Sequence, residues 1–318
     1  MALTERKQKS PTRKIRTALV TGATGMLGAT LVRTLLREKV RVFAVIRPNS
    51  AKRRNLPEAE EGLTVIERDV SELETLTLPE PVDAFFHFAW EGTYGEARND
   101  SMLQERNVTN TLAAVRLAKK LGAAVFVGAG SQAEFGRSED VLGPETPCRP
   151  ENEYGRAKLR AGREGLALAD RLGIDFIWTR VVSVYGPFDN DFTLISSAVR
   201  SLLSTGRFAA TKGEQIWSYL YSEDAAEWFY RLAKSGKSGG VYLLSGTESR
   251  SLRSYLEELA SAVGPDARIA FGEIPYRAGQ VMKLSADVSK TVQETKYAPK
   301  TDFRTGVAKT IAWIGERG

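Results

Sequence analysis

The possible folds of this chain are narrowed first by a glycine-rich run at residues 21–28, which directly follows the apolar segment 17–20. When a buried parallel strand ends in such a run, backbone N–H groups can approach a pyrophosphate, and the next helix presents its positive N-terminal end to that charge. Gly22 would form the tight turn, Gly25 would admit the phosphates and Gly28 would let helix and strand pack closely. The run therefore predicts a dinucleotide-binding turn in a parallel α/β sheet.

Tyr154 and Lys158 form a second pattern, because a spacing of four residues places both side chains on one face of a helix. A tyrosine phenol has a pKa of ~10, too high for proton transfer at neutral pH, and a neighbouring ammonium would lower it. Ser131 follows an apolar strand candidate, at the carboxyl edge where doubly wound sheets bind ligands. The three side chains are expected to meet over a nicotinamide, although the Tyr–Lys spacing alone also fits an ordinary solvated helix.

With these residues the chain resembles the extended short-chain dehydrogenase/reductase family, specifically its nucleotide-sugar epimerase/dehydratase/reductase group, over about residues 17–314. Further segments match that group in order along the chain, at residues 85–90, 107–111, 180–187, 215–224 and 287–290. Together with the alternating strand and helix patterns, the resemblance implies an α/β fold. We expect a Rossmann-type doubly wound parallel sheet with a smaller, discontinuous C-terminal substrate lobe.

The same resemblance assigns roles to individual residues. The catalytic set would be Ser131, Tyr154 and Lys158. The cofactor-binding residues would be Thr21, Gly22, Thr24, Gly25, Met26, Leu27, Gly28, Arg47, Asp69, Val70, Phe88, Ala89, Trp90, Asn107, Tyr154 and Lys158. The substrate-binding residues would be Gln132, Glu134, Arg180, Ser183 and Trp217.

The identity of the nicotinamide cofactor can be argued from charge at the end of the second predicted strand. NAD-specific folds place an acidic side chain there, which binds the ribose hydroxyls. This chain has Arg47 at that position, followed by Lys52, Arg53 and Arg54, and a guanidinium suits a 2′-phosphate. NADP(H) is therefore favoured. NAD stays possible, since the same residues also fit an exposed basic loop.

The reaction type follows in part from the cofactor, because a ketoreductase consumes NADPH, whereas epimerases and dehydratases of this group regenerate a bound NAD. A dehydratase would usually carry an Asp-Glu pair directly after Ser131, but Gln132 and Ala133 stand there. Glu134 lies one residue further along and is a poor replacement. We therefore predict NADPH-dependent reduction of a 4-keto-6-deoxy nucleoside-diphosphate sugar. The alternatives are an NAD-dependent nucleotide-sugar 4-epimerase and a catalytically idle NADP-sensing regulator.

Two departures from the group's pattern bear on the substrate. Ser183 and Trp217 stand where the group often uses Asn and Arg to hold the diphosphate, and Trp217 would either stack on a base or fill the lobe core. Other cations could contact the diphosphate instead, namely Arg180, Arg207, Lys212 and Arg277. The base stays undetermined, and a non-nucleotide carbonyl substrate stays open.

The composition argues against several other classes of protein. The chain has 318 residues, 42% of them hydrophobic, and no apolar run approaches the ~18–20 residues that cross a bilayer. Residues 1–7 lack the apolar stretch of a secretory signal, so we expect a cytoplasmic protein without membrane association. The single Cys148 and single His87 argue against a disulfide, a metal cluster and a Ser-His triad, and His87 is expected to pack within a strand.

Most of the formal net charge of +6 lies in residues 1–16, which hold six Lys and Arg residues against one glutamate. This segment lacks apolar periodicity and is predicted to be a disordered basic extension. Nucleic acid is therefore not expected as a partner, apart from a weak tether through these cations.

Apolar periodicity predicts strands at 17–21, 40–46, 63–67, 83–88, 123–128 and 174–182, and helices at 25–38, 98–121, 152–172, 192–205, 222–235, 251–263 and 303–316. The resemblance implies a dinucleotide-binding domain of residues 17–185, about 213–239 and 286–318. The substrate lobe would comprise about 186–212 and 240–285. A homodimer is expected through the helices near 98–121 and 152–172.

Overall fold

A computed structural model describes residues 12–316 of the chain. Its strands are β1 (Thr17–Thr21), β2 (Arg41–Ile46), β3 (Leu63–Glu67), β4 (Ala84–His87), β5 (Val125–Ser131), β6 (Asp175–Val181), β7 (Val184–Tyr185), β8 (Arg207–Ala210), β9 (Ile216–Trp217), β10 (Leu220–Tyr221), β11 (Val241–Leu244), β12 (Arg250–Ser251), β13 (Arg268–Phe271) and β14 (Lys283–Leu284). The helices are α1 (Met26–Arg37), α2 (Ser101–Lys120), α3 (Glu153–Leu172), α4 (Leu194–Thr205), α5 (Ser222–Ser235), α6 (Leu252–Val263), α7 (Ser289–Thr295) and α8 (Phe303–Gly315).

The central sheet has seven strands in the order β11-β6-β5-β4-β1-β2-β3, and every neighbouring pair is parallel. The chain order reverses between β1 and β4, where Thr21 lies opposite His87. A crevice opens beyond the carboxyl ends of strands at such a reversal, and this is where doubly wound sheets bind ligands. The predicted Rossmann-type α/β fold is confirmed.

Helices cover both faces of this sheet, because side chains alternate along each buried strand. Val20 belongs to the apolar cluster that α1 and α5 complete, and Leu19 belongs to the cluster on the opposite face, beneath α2 and α3. α2 and α3 pack side by side. The homodimer through these two helices stays a prediction.

A third apolar cluster forms a smaller lobe beside the sheet. It is built from α4, α6 and α8, whose apolar sides include Val199, Leu256 and Val307. A parallel pair, β8 with β13, and a second small sheet, β12-β9-β14, complete the lobe. The lobe lies against the carboxyl edge of the main sheet and encloses the site described below.

Two elements lie in a different domain from the one predicted for them. β11 falls in the segment 240–285 predicted for the lobe, but it extends the main sheet, because Val241 pairs with Trp178 at the edge of β6. α8 falls in the segment 286–318 predicted for the dinucleotide domain, but it packs against α4 and α6 in the lobe cluster. The remaining boundaries stay a proposal.

The prediction of a disordered extension over residues 1–16 is wrong for residues 12–16. Arg13 forms an ion pair with Asp175 at 2.6 Å, and Ile15 is buried in the core. The Arg16 backbone N–H donates to Asp83 at 2.7 Å, so this segment leads directly into β1. Residues 1–11 of the predicted extension lie outside the described residues.

Candidate active site

The glycine-rich turn after β1 is closely packed at two of its three glycines. Gly22 has φ of +65°, and a Cβ there would lie 2.6 Å from the Ala89 nitrogen. A Cβ on Gly28 would lie 2.2 Å from the Gly22 carbonyl oxygen, so any side chain would push α1 away from β1. Gly25 is the N-cap of α1, has no side-chain cap and lies on the wall of a cavity. The turn thus leaves a helix N-terminus open toward that cavity, which suits a bound phosphate.

The cavity has a volume of about 760 Å³ and runs from this turn into the lobe. A pocket of this size is ordinary for a small-molecule or cofactor site. The predicted site residues that line it are Gly22, Gly25, Met26, Leu27, Gly28, Phe88, Trp90, Ser131, Gln132, Tyr154, Lys158, Ser183 and Trp217. One continuous wall therefore joins the glycine turn to the predicted catalytic and substrate residues, and the residues present fit a dinucleotide at one end.

Tyr154 and Lys158 project from the first turns of α3 toward Ser131. The helix begins at Glu153, where the Asn152 side chain caps it by accepting a hydrogen bond from the Gly155 N–H at 2.8 Å. Lys158 Nζ donates to the Ala129 carbonyl at 2.6 Å, and the Ser131 hydroxyl lies near enough to the Tyr154 phenol to act on its pKa. The structure brings the three predicted catalytic side chains together at the end of β5.

Burial dominates the ionisation of this group. It raises the pKa of Tyr154 to about 12, while the Ser131 hydroxyl and the charge of Arg98 act in the opposite direction. Burial lowers the pKa of Lys158 to about 7, opposed by the charge of Glu134. The expected lowering of the phenol pKa by Lys158 is therefore wrong for this substrate-free protein, because burial raises that pKa and only Ser131 and Arg98 act to lower it. The phenol stays protonated at neutral pH, which is the state that a proton donor needs.

Trp90 and Arg98 surround the Tyr–Lys pair. The Lys158 Nζ lies 3.7 Å from the centroid of a Trp90 ring, whose N–H donates to Gln104 Oε1 at 2.9 Å. The guanidinium carbon of Arg98 lies 4.7 Å from the centroid of the Tyr154 ring. Sequence reasoning missed Arg98, because it stands in a short 3-10 turn with no motif around it.

Glu134 and Arg180, both predicted to bind substrate, instead bind each other behind the cavity wall. Glu134 Oε2 accepts from Arg180 Nε at 2.7 Å, and both side chains are buried. Glu134 Oε1 accepts from the Ser131 backbone N–H at 3.0 Å and from Trp178 Nε1 at 2.9 Å. Neither residue is among those that line the cavity, so this geometry does not support their predicted contacts with substrate. A buried charge needs a partner, and this ion pair holds the backbone of Ser131.

Ser183 and Trp217 both lie on the cavity wall, and the Trp217 indole N–H donates to Ser183 Oγ at 2.7 Å. Trp217 also packs against the apolar cluster of the lobe. Of the other predicted phosphate cations, Arg277 lies on the cavity wall, whereas Arg207 forms an ion pair with Glu273.

Arg47 and Asp69 stand at the carboxyl edge beside the turn. Arg47 directly follows β2, and its largely exposed guanidinium lies 3.2 Å from Glu91 Oε1. Asp69 accepts hydrogen bonds from the Ser71 N–H and hydroxyl, which hold its pKa below the usual value. Val70, next in sequence, begins the 3-10 turn that Asp69 caps. The contacts of these residues with a cofactor stay a prediction.

Other predicted cofactor residues support the wall from behind. Thr21 Oγ1 hydrogen-bonds with His87 Nδ1 at 2.8 Å, and the Thr24 carbonyl accepts from Asn55 Nδ2 at 2.9 Å. Asn107 holds both backbone groups of Glu91, at 3.0 and 2.9 Å. His87 is packed within β4 as expected, and burial lowers its pKa to about 3. It is therefore neutral at pH 7.

Asp189 is a second cavity residue that sequence reasoning missed. Its carboxylate accepts from the Asn190 N–H and the Thr193 hydroxyl, both at 2.8 Å. Burial raises its pKa to about 6. The sequence signal, an aspartate in the loop after the β7 segment, is too common to indicate a site by itself.

Within residues 12–316, no group of three or more His, Cys, Asp and Glu side chains is placed to hold a metal ion. Nor does any helix in that range have the length and apolar composition needed to span a membrane.

The sequence model of the NAD dependent epimerase/dehydratase family matches residues 18–245. A dTDP-glucose 4,6-dehydratase of Streptomyces griseus is 27% identical over 93% of this chain and 93% of its own length. An uncharacterized UDP-glucose epimerase of Bacillus subtilis (strain 168) is 24% identical over 93% of this chain and 97% of its own.

Solved structures show the same fold. The UDP-N-acetylglucosamine 4-epimerase of Methanobrevibacter ruminantium M1 superimposes with a TM-score of 0.86 at 20% identity, over 98% of this chain and 100% of that one. The dTDP-glucose 4,6-dehydratase DesIV of Streptomyces venezuelae, solved with NAD bound, superimposes with a TM-score of 0.83 at 23% identity. The match covers 94% of this chain and 97% of that one.

Proposed function

The chain belongs to the NAD dependent epimerase/dehydratase family, and on that premise we propose that it is an NADPH-dependent 4-ketoreductase of 4-keto-6-deoxy nucleoside-diphosphate sugars. It is an NAD(P)-dependent enzyme of the extended short-chain dehydrogenase/reductase type. Its relatives are named as 4,6-dehydratases and 4-epimerases, so the choice among the reactions is argued from the site.

The observation that carries the proposal is the position of Glu134. Elimination of water needs an acid and a base beside the reacting sugar carbons. Both oxygens of Glu134 are occupied by Arg180, Trp178 and the Ser131 backbone, and the side chain is buried behind the wall. Gln132 and Ala133, which precede it, cannot exchange a proton in its place. The site thus keeps the groups for carbonyl reduction and lacks a carboxylate for dehydration on this turn.

Reduction needs a proton on the carbonyl oxygen and a hydride on the carbonyl carbon. The nicotinamide of bound NADPH supplies the hydride. Tyr154 donates the proton of its hydroxyl to the oxygen as charge develops there, and solvent later restores that proton. Ser131 donates a hydrogen bond to the same oxygen, and its own backbone is fixed by Glu134. Lys158, whose Nζ donates to the Ala129 carbonyl, would bind the nicotinamide ribose.

The preference for NADPH is supported by Arg47. Its exposed guanidinium stands where an acidic residue would bind the adenosine ribose of NAD, and the nearby Glu91 is its ion-pair partner. A 2′-phosphate would offer Arg47 a stronger, doubly hydrogen-bonded partner than an exposed carboxylate does.

The test starts from the purified protein. Nucleotide released by denaturation is identified, and the emptied protein is titrated with NADPH and with NADH. A 4-keto-6-deoxy sugar nucleotide is then added with NADPH deuterated at nicotinamide C4. We expect one NADPH oxidised per sugar reduced, with deuterium at sugar C4 and tighter binding of NADPH than of NADH.

Each rival reaction gives a different result. Retained NAD and interconversion of two sugar nucleotides without net cofactor oxidation would establish the 4-epimerase. Loss of water from a nucleoside-diphosphate hexose would establish a dehydratase. Binding of NADPH without turnover of any sugar nucleotide would favour the regulator.

A further inference from the structure

Arg98 lies beside the proposed proton donor. It belongs to the 3-10 turn Gly95–Asn99, between β4 and α2, and its guanidinium carbon is 4.7 Å from the centroid of the Tyr154 ring. The side chain is half-buried and lines the same cavity as Tyr154 and Ser131. At a distance below ~6 Å, a guanidinium is attracted to the face of an aromatic ring. The guanidinium therefore lies over the ring of the proposed proton donor.

Arg98 forms no ion pair with the part of the chain that the structure describes. Glu96 and Asp100, the acidic residues nearest to it in sequence, are both exposed to solvent, and the Asp100 carboxylate accepts from the Leu103 N–H at 3.0 Å. Glu91, further away in sequence, pairs with Arg47. The carboxylate of Asp189, elsewhere on the cavity wall, accepts hydrogen bonds from its own loop. Within residues 12–316, Arg98 thus brings a positive charge without an ion-pair partner to the cavity wall beside Tyr154.

Lys158 is a weaker source of positive charge in the substrate-free protein. Burial lowers its pKa to about 7, so roughly half of the molecules carry the ammonium at neutral pH. Its Nζ also donates to Ala129 and faces Trp90, at 5.9 Å from the centroid of the Tyr154 ring. A guanidinium stays charged at every pH that the protein would meet. Arg98 is therefore the permanent cation closest to the Tyr154 ring.

From this geometry we infer that Arg98 is a positioning residue for Tyr154, which holds the phenol ring and stabilises the phenolate formed when the proton is donated. A fixed cation in a partly dry site stabilises a developing anion more strongly than water does. The inference rests on the proposed function only in taking Tyr154 as the proton donor. It assigns a role to a residue outside the Ser131, Tyr154 and Lys158 set.

A substrate-free experiment tests it. Residue 154 is replaced by 3,5-difluorotyrosine, whose phenol is more acidic. Its titration is followed by ¹⁹F NMR at saturation with whichever oxidised cofactor, NADP⁺ or NAD⁺, the protein binds more tightly. Arg98→Met keeps a long stacking side chain but removes the charge, and Arg98→Lys restores a charge. We expect Arg98→Met to raise the pKa of residue 154 by about 1. Arg98→Lys should bring that pKa most of the way back to the wild-type value. Arg277→Met, another cavity arginine, should leave it unchanged.

An unchanged pKa in Arg98→Met overturns the inference, as does an equal rise in Arg277→Met. These results need no sugar substrate, so they stand even if the ketoreductase assignment fails. With a substrate in hand, we expect kcat to fall about tenfold in Arg98→Met while KM changes little, and Arg98→Lys to recover it. A rise in KM alone would show that Arg98 binds substrate and would overturn the assigned role.

Discussion

The indole N–H of Trp217 donates a 2.7 Å hydrogen bond to the hydroxyl oxygen of Ser183, so the two side chains that depart from the group's diphosphate-binding pattern bind each other. Both lie on the cavity wall, and neither carries a charge. This part of the wall cannot form an ion pair with a diphosphate. Arg277 lies on the same wall and could supply the missing charge.

A double-mutant cycle measures how strongly the pair is coupled. Trp217→Phe and Ser183→Ala should each lower the free energy of unfolding. The loss in the double variant should be about 1 kcal/mol smaller than the sum of the two single losses, because each single variant already removes the same hydrogen bond. Urea unfolding at neutral pH gives the three values. In the control cycle, Trp90→Phe replaces Trp217→Phe, and its coupling to Ser183→Ala should be near zero. Equal coupling in the two cycles would contradict a specific pair.

The buried ion pair of Glu134 and Arg180 predicts a large loss of stability when one partner is neutralised. Glu134→Gln keeps the shape of the side chain but leaves the Arg180 guanidinium buried without a counter-charge, which should cost about 3–5 kcal/mol. The matched control is Glu153→Gln, which removes an exposed ion pair with Arg156 and should cost about 0–1 kcal/mol. Similar losses in the two variants, measured by urea unfolding, would show that Glu134 has no structural role.

Most of the fold could be predicted from the sequence, since local periodicity decides where elements lie. The helix predicted at 222–235 is observed as Ser222–Ser235, and the first strand agrees at both ends. β11 was wrongly predicted to belong to the lobe, because the apolar sequence Val241–Leu244 does not show which sheet the strand joins. That depends on β6 having a free edge, which is a property of the assembled sheet.

The site was predicted where its residues share one short motif and missed where tertiary contacts create the chemistry. Tyr154 and Lys158 lie on one turn of α3, so their spacing implied their proximity. Glu134 and Arg180 are 46 residues apart, and nothing local to either shows that their charges cancel. Arg98 reaches Tyr154 only because a 3-10 turn packs beside α3. Such contacts follow from packing rather than from pattern.

The proposed contact of Arg47 with the 2′-phosphate leads to a prediction about NADPH and NADH binding. In Arg47→Ala, the Kd for NADPH should rise about tenfold or more, because a charge-assisted hydrogen bond to the 2′-phosphate is lost. The Kd for NADH should change little. Fluorescence titration measures both. Arg53→Ala is the control, since the Arg53 guanidinium donates within its own loop, to the Pro57 carbonyl. An equal loss for both cofactors in Arg47→Ala would refute a contact with the 2′-phosphate.

Tyr154→Phe removes the proposed proton donor without changing the shape of the wall. Turnover should fall by about 10²–10⁴-fold, while the Kd for NADPH stays within a few-fold of the wild-type value. Steady-state rates with a 4-keto sugar nucleotide and fluorescence titration provide the two measurements. Tyr276→Phe serves as the control, because the Tyr276 hydroxyl bonds with Glu214 at the surface. Near-normal turnover in Tyr154→Phe would exclude the phenol as the acid.

The lowered pKa of Lys158 predicts how the free energy of unfolding depends on pH in the cofactor-free protein. Burial lowers its pKa from 10.5 to about 7 in the folded state, so above pH 7 the unfolded chain binds a proton that the folded protein has released. The free energy of unfolding should therefore rise with pH between about 7 and 10, by up to ~1.4 kcal/mol per pH unit from this group. Below pH 7 both states are protonated, and the contribution becomes constant.

Other titrating groups act mainly outside this window. His87 has its pKa lowered from 6.5 to about 3, so its effect on stability ends near pH 6.5, and the raised pKa of Tyr154 matters only above pH 10. Urea unfolding of wild type and Lys158→Met at pH 7, 8 and 9 isolates the lysine. The difference should grow in favour of wild type as pH rises, while Lys119→Met, at the exposed end of α2, should keep the wild-type slope. A constant difference between wild type and Lys158→Met would mean that the buried lysine keeps its proton throughout.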